Sequence, residues 1–356
     1  MSPSSAPVRS AREVALAPPR AHGTPPVEGA LRAQPEDFVV EEDLGFAPAG
    51  TGAHVLFRVR KRDANTQWVA RELARIAGCR PAEVGFAGLK DRRAVAVQWF
   101  SVPRPRASVD WAQARGADFE VLEAHPHTRK LPRGALAGNR FTVRIHALQG
   151  CGADLAAALA PRLAQIVRCG VPSYFGPQRF GRAGANLERT AAGLAALSGA
   201  ERGFVLSAAR SVVFNAVLAE RVCAGSWNQL LPGDLANLDS RGSIFPVEEA
   251  DALTQERCAR LEIHPTGPLW GAGTPRTGGA VLELEARLGA LFARESDLCI
   301  AAGMQQERRS LRLAVRQLEC ESEPQALLLR FRLARGGFAT TVLRELLATR
   351  GESCEE

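Results

Sequence analysis

Lysine is scarce in this chain of 356 residues. It occurs only as Lys61, Lys90 and Lys130, so 45 basic residues less three leaves 42 arginines. The net charge of +7 hints at an anionic partner. Alanine and glycine are abundant too, so much of the arginine reads as coding bias, and charge alone does not establish nucleic-acid binding. Paired cysteines are missing. Cys79, Cys151, Cys169, Cys223, Cys258, Cys299, Cys320 and Cys354 stand apart, with no C-x-x-C and no matching histidine spacing, which argues against a zinc site. The six histidines are scattered, and His125 and His127 flank a proline as in a turn. No uninterrupted run of about 18 apolar residues occurs, so no membrane span is expected. No secretory h-region is visible, and the expected setting is a cytoplasm with reduced thiols. Internal repeats are absent.

What is present is ordinary globular material, 46% hydrophobic and 23% charged. Its length predicts two domains. Residues 1–29 hold six prolines and no hydrophobic period, and read as a disordered tail. Pro and Glu13 within it argue against an organelle presequence helix. Strands are predicted at 38–42, 54–60, 94–102, 118–124, 140–146 and 326–333. A helix capped by Asn65 and ended by Gly78 carries Val69, Leu73 and Ile76 on one face. Further helices are predicted at 153–168 (bent or split by Pro161), 185–198, 205–223 and 338–349. Few βαβ alternations occur, so the fold class is α+β with a mixed or antiparallel sheet. Strand-rich segments 30–170 and 313–350 flank a helical middle, 171–312, which suggests one domain inserted into another. Residues 351–356 form an acidic tail.

The chemistry concentrates at residues 85–103. Asp91 sits on a glycine-marked turn among Lys90, Arg92 and Arg93, and an alternating strand follows. Such an acid reads in two ways. As a solvated ion pair it is worth about 0–1 kcal/mol. As a nucleophile, it has neighbouring cations that favour its ionised form and that can hold a phosphate backbone near the reacting group. A phosphate loop at 85–90 is a rival, but the Walker spacing and its Ser/Thr are absent.

Residues 86–95 (Phe-Ala-Gly-Leu-Lys-Asp-Arg-Arg-Ala-Val), with Gln98-Trp-Phe after them, resemble the catalytic motif of the TruD family of tRNA pseudouridine synthases. Five more segments resemble family motifs in the same order, at 35–46, 129–141, 174–181, 206–215 and 336–345. The likeness covers about 30–350. It implies isomerisation of uridine 13 of tRNA to pseudouridine on a circularly permuted pseudouridine-synthase sheet, with no redox carrier, ATP, metal or other cofactor. Asp91 falls on the family's essential aspartate, attacking ribose or base. Phe141 falls where an aromatic ring meets the target base, and Asn139, Phe38 and Phe338 fall on substrate-lining positions. Arg32 falls on a basic position near the site. From spacing alone the three phenylalanines read as core residues and Asn139 as a turn residue. Lys90, Arg179 and Arg182 are candidate RNA contacts. The expected partner is tRNA, with no membrane and no protein partner implied, and the chain is expected to be a monomer. The rival class is a non-catalytic RNA-binding or RNA-chaperone protein of the same body.

Overall fold

The computed structural model describes residues 9–105, 109–149, 155–195, 197–239 and 241–349. In chain order the first part comprises α1 (Ala11–Leu16), β1 (Val27–Leu31), β2 (Phe38–Asp43), β3 (His54–Arg62), α2 (Thr66–Ala77), β4 (Gly85–Phe86), β5 (Val95–Pro103), β6 (Phe119–His127), β7 (Gly138–Gln149) and α3 (Leu155–Cys169). The middle holds β8 (Val171–Pro172), α4 (Ala185–Glu188), α5 (Gly199–Cys223), β9 (Leu235–Leu238), β10 (Ile244–Pro246), α6 (Ala252–Ala259), β11 (Ile263–Leu269), α7 (Gly279–Leu291), α8 (Ala293–Ala301), β12 (Glu307–Ser310) and β13 (Arg312–Leu313). The last part is β14 (Arg316–Glu323), β15 (Ala326–Ala334), α9 (Ala339–Leu346) and β16 (Leu347–Thr349).

Ten strands form one mixed sheet whose main path runs β14-β15-β7-β2-β5-β3-β6, with β1, β16 and β4 paired at its margins. Among the described strands of this sheet, only β1 with β16 and β2 with β5 run parallel. The α+β class expected from the sequence is what the structure shows. Alternation explains the layering, because side chains two apart share a face. On β2 these are Phe38, Val40 and Glu42; on β7 they are Asn139, Phe141 and Val143. Register places Phe38 opposite Val143, Val40 opposite Phe141 and Glu42 opposite Asn139. One face of the sheet packs Val143, Ile145, Leu329 and Phe331 with Val342 and Leu343 of α9 and Leu159 and Ile166 of α3.

The chain leaves this sheet after α3 and rejoins it at β14. Between, α5 is the axis of a separate core with Tyr174, Phe175, Phe180, Trp227 and Leu288 around it. Residues 199–223 are long and apolar enough, by length and composition, to cross a membrane, yet 67% of the apolar window is buried inside the fold. This is a core helix, buried at every position from Ser211 to Ala219.

Several sequence expectations change. Residues 10–29 are ordered. Ser10 and Glu13 form a reciprocal capping box that starts α1, Val14 and Ala15 are buried against the α5 core, and 27–31 join the sheet. Residues 1–8 and the acidic tail at 351–356 lie outside the described residues. The predicted helix at 185–198 is a four-residue turn of α4 followed by 3-10 turns. The next helix begins at Gly199 rather than 205, because Ser198 and Glu201 cap it ahead of two glycines. Pro161 lies inside a single helix, α3, that it does not split. Helix 338–349 ends at Leu346, and Leu347 turns into β16. Asn65 precedes α2 without a side-chain capping bond, while Gly78 ends it at φ +66° as the left-handed cap requires. His125 and His127 lie in β6 rather than a turn; His127 stacks on Phe46 and accepts a bond at Nδ1 from the Ala49 N–H.

Candidate active site

The loop carrying Asp91 is held by side chains more than by backbone pairing. It leaves β4, whose Gly85 pairs with Ser101 of β5. A Cβ on Gly85 would lie 2.5 Å from the Leu131 carbonyl oxygen and from Ser101 Oγ, so no larger residue fits there. Gln98 of β5 donates from Nε2 to the Gly88 carbonyl at 2.6 Å and accepts at Oε1 from Thr66 Oγ1 at 3.1 Å. Thr66 Oγ1 accepts from the Lys90 N–H at 3.1 Å. Lys61 Nζ donates to the Asp91 carbonyl at 2.8 Å and to the Ala64 carbonyl at 2.7 Å. Lys61 is fully buried, and burial pushes its ammonium down to about 8, with Asp91 pulling it up and Lys90 pushing it further down.

The Asp91 carboxylate stays 42% exposed and accepts one bond, at Oδ2, from Arg32 Nη2 at 2.8 Å. No bond to Oδ1 occurs among the described residues. Arg32 has φ +58°, a left-handed conformation costing a non-glycine residue roughly 1–2 kcal/mol. From there its guanidinium also lies over the Phe38 ring, 4.4 Å from the centroid.

A pocket of about 570 Å³ opens beside Asp91. Its wall includes Arg32, Phe38, Lys90, Asp91, Asn139 and Phe141. Phe338, Gln178 and the 335–337 turn close it from the other chain segments. Phe38 and Phe141 meet edge to face at 6.0 Å, and Phe141 stacks on Phe331 at 5.3 Å. Both are nearly buried, so they are core residues and pocket floor at once. Phe338, the cap residue of α9, is 37% exposed and packs 6.4 Å from Phe175. Asn139 is buried and its Oδ1 has no partner among the described residues.

The structure thus gathers Asp91, Arg32, Phe38, Asn139, Phe141 and Phe338 on one pocket. Three expectations shift. Lys90 lines the pocket, but its Nζ is 2.7 Å from the buried Glu42 Oε1, an ion pair outside hydrogen-bond angles. Its charge is spent on Glu42, not on Asp91 or a phosphate. Arg92 faces Asp63 at 3.6 Å. Arg179 and Arg182 do not line the pocket; Arg179 donates to Ser207 and lies over Phe175, and Arg182 is exposed. Gln178 is the residue that reaches in. The sequence reading missed Lys61, Glu42, Thr66 and Gln98. For two of them a signal existed, because Lys61 falls on the inward face with Val55, Phe57 and Val59, and Glu42 on that with Phe38 and Val40. A charged residue at an inward position needs a partner.

A larger pocket, about 680 Å³, borders Gly85 and Phe86 with Arg71, Lys130 and Arg133. It is lined by no acid, hydroxyl or thiol, so the Asp91 pocket is the candidate active site. Among the described residues no group of three metal-ligating side chains forms, and Cys79, Cys169, Cys223, Cys258, Cys299 and Cys320 are free thiols.

The fold matches a solved structure titled as the putative tRNA pseudouridine synthase D (TruD) from Methanosarcina mazei, with a TM-score of 0.70 over 94% of this chain and 97% of that one at 20% identity. That likeness defines the fold class. At the sequence level the family model for tRNA pseudouridine synthase D (TruD) matches residues 19–188 and 185–346. A tRNA pseudouridine synthase D from Nitrosococcus oceani is 46% identical over 336 residues, covering 92% of this chain and 93% of its own. One from Pseudomonas aeruginosa is 46% identical over 345 residues, covering 94% and 95%. The chain belongs to the TruD family of pseudouridine synthases, which are isomerases.

Proposed function

We propose that this enzyme converts uridine at position 13 of tRNA into pseudouridine, with Asp91 as the nucleophile and no cofactor. The observation that carries the reading is an exposed carboxylate, oriented by one arginine at Oδ2 and free at Oδ1, on the wall of an aromatic pocket. The bookkeeping needs no added reagent. The C1′–N1 bond breaks, the uracil turns, C1′–C5 forms, C5 loses a proton and N1 gains one. Attack by Asp91 at C1′ and addition at the ring carbon C6 both start from the same oxygen.

The target base must leave its stack, at a cost of a few kcal/mol. Stacking against an aromatic side chain returns roughly 1–3 kcal/mol per base. Phe338, the exposed ring, supplies that surface in the pocket it shares with Phe38 and Phe141. Asn139 offers an amide whose oxygen has no protein partner, matched to the imide edge of uracil, which carries one N–H between two carbonyls. The reading sets the enzyme in the cytoplasm with its tRNA, in line with the free thiols of the six cysteines among the described residues.

Asp91→Ala tests the reading against an RNA-binding protein that performs no chemistry. Turnover should vanish while tRNA affinity stays within about threefold, less than 1 kcal/mol. Unchanged turnover would sink the mechanism.

A further inference from the structure

The turn at 335–337 separates two pockets. One face lines the Asp91 pocket. The other lines a polar cavity of about 160 Å³ that also includes Ser173, Asn237, Arg241 and Arg309. A phosphate group is smaller than this cavity, and a nucleoside is larger.

The cavity's charge is unbalanced. Among the described residues no carboxylate lies within 4 Å of a nitrogen of Arg241, Arg309 or Arg335, and Arg241 and Arg335 are exposed. The one acid on the wall, Asp239, is already held by Arg316 at 3.0 Å and His264 at 2.9 Å. Arg312 is also on the wall, but its donors go to His264 Nδ1 and the carbonyls of Asn228, Cys258 and Ile263. Arg309 is different. It donates from Nη2 to Ser173 Oγ at 3.0 Å and to the Gly336 carbonyl at 3.1 Å, while its buried Nε has no partner. Its Nη1 lies 3.7 Å from where a Cβ on Gly336 would stand, and Gly336 has φ +77°. Glycine there both permits the turn and leaves the guanidinium uncovered. Burial and the nearby Arg179 push Arg309 down to about 10. Its plane lies over Phe175 at 4.6 Å and near Phe338 at 5.8 Å, the ring that closes the catalytic pocket. Ser173 Oγ, an acceptor from Arg309, still has its own proton to donate.

We infer that the cavity of Arg309, Arg241, Ser173 and the 335–337 turn binds a backbone phosphodiester of the RNA, next to the nucleotide held in the Asp91 pocket. An uncompensated arginine fork beside a hydroxyl is suited to bidentate recognition of a phosphate. The placement across one turn lets a single phosphate fix where the strand enters the pocket, so it acts on binding and register rather than on the bond changes. This rests on the tRNA reading above.

The test uses full-length protein and a tRNA transcript. Binding is measured at several potassium chloride concentrations for wild type, Arg241→Ala and Arg309→Gln, with melting checked for each. Each substitution should raise Kd roughly tenfold, as expected for one lost charge-assisted bond. It should also flatten the plot of log K against log salt by about 0.7–0.9, while turnover at saturating tRNA holds within about threefold. Arg241 is exposed, so its variant gives the answer even if Arg309→Gln melts early. Unchanged salt slopes in Arg241→Ala, or in a well-folded Arg309→Gln, would overturn the assignment. So would binding of inorganic phosphate that Arg309→Gln abolishes without altering tRNA affinity, since the site would then serve a free anion. If wild type isomerises no uridine but the slopes fall, the proposed function fails and the phosphate site stands.

Discussion

Replacing Lys61 by methionine separates the electrostatic cost of a buried charge from its value to the loop that carries Asp91. The ammonium is fully buried, binds two backbone carbonyls and has its pKa pushed from 10.5 to about 8. At about 1.4 kcal/mol per unit, keeping it charged costs the folded state about 3 kcal/mol below pH 8. Its two bonds return about 1.5–3 kcal/mol each, since the donor is charged. Lys61→Met should therefore change stability at pH 7 by only about 0–3 kcal/mol, in the destabilising direction. The pH dependence is sharper. The folded pKa lies below the unfolded one, so between about pH 8 and 10.5 the unfolded chain binds more protons. Wild-type stability gains from this group as pH rises through that window, by about 3 kcal/mol in all. The gain is absent below pH 8 and complete above 10.5. Urea melts of wild type and Lys61→Met at half-unit steps from pH 7 to 10.5 give the difference directly, because other groups cancel. A difference that does not vary with pH would refute the buried-charge account. Turnover supplies the second reading: freeing the Asp91 carbonyl should lower kcat at least tenfold while tRNA affinity holds, about 1.4 kcal/mol of lost positioning.

Four further outcomes follow from the same geometry. Arg32→Ala should reduce kcat/KM by roughly 10–100-fold through loss of the Oδ2 bond, with Arg32→Lys recovering part of it; equal activity in all three would contradict the arrangement. Phe338→Ala should leave melting within about 1 kcal/mol, as the ring is partly exposed, yet cost roughly 1–3 kcal/mol in transition-state binding, read as kcat/KM. Phe141→Ala should instead destabilise by about 3–5 kcal/mol, since the ring packs on Phe38 and Phe331; a chemical melt showing no loss would remove it from the core. Gly85→Ala should cost about 1–3 kcal/mol, because the new Cβ meets Leu131 and Ser101 at 2.5 Å.

How much could be read before the structure depends on where the signal lay. Strand alternation is local, so β2, β3, β5, β7 and β15 were legible to within a few residues. Asp91 stood out because cations crowd it in sequence, and the ordered motifs brought Phe38, Asn139, Phe141 and Phe338 to the same site. What failed was mainly pairing at a distance. Lys90 looked like the cation for Asp91, but Glu42 of β2 takes it, and Arg32, 59 residues away, takes Asp91. The N-terminal segment looked disordered by its prolines, although its Ser10–Glu13 capping box marked a helix start and the α5 core completes it. Capping at Ser198 and Glu201 likewise starts α5 at Gly199, six residues before the predicted 205. Phe141 was legible as either core or pocket, and the sheet makes it both.

The most direct test maps pseudouridine in tRNA from cells that lack this protein, then restores the protein as wild type or as Asp91→Ala. Position 13 should lose pseudouridine without the protein, regain it with wild type and stay uridine with Asp91→Ala. Pseudouridine at position 13 that persists without the protein, or that returns with Asp91→Ala, would contradict the account.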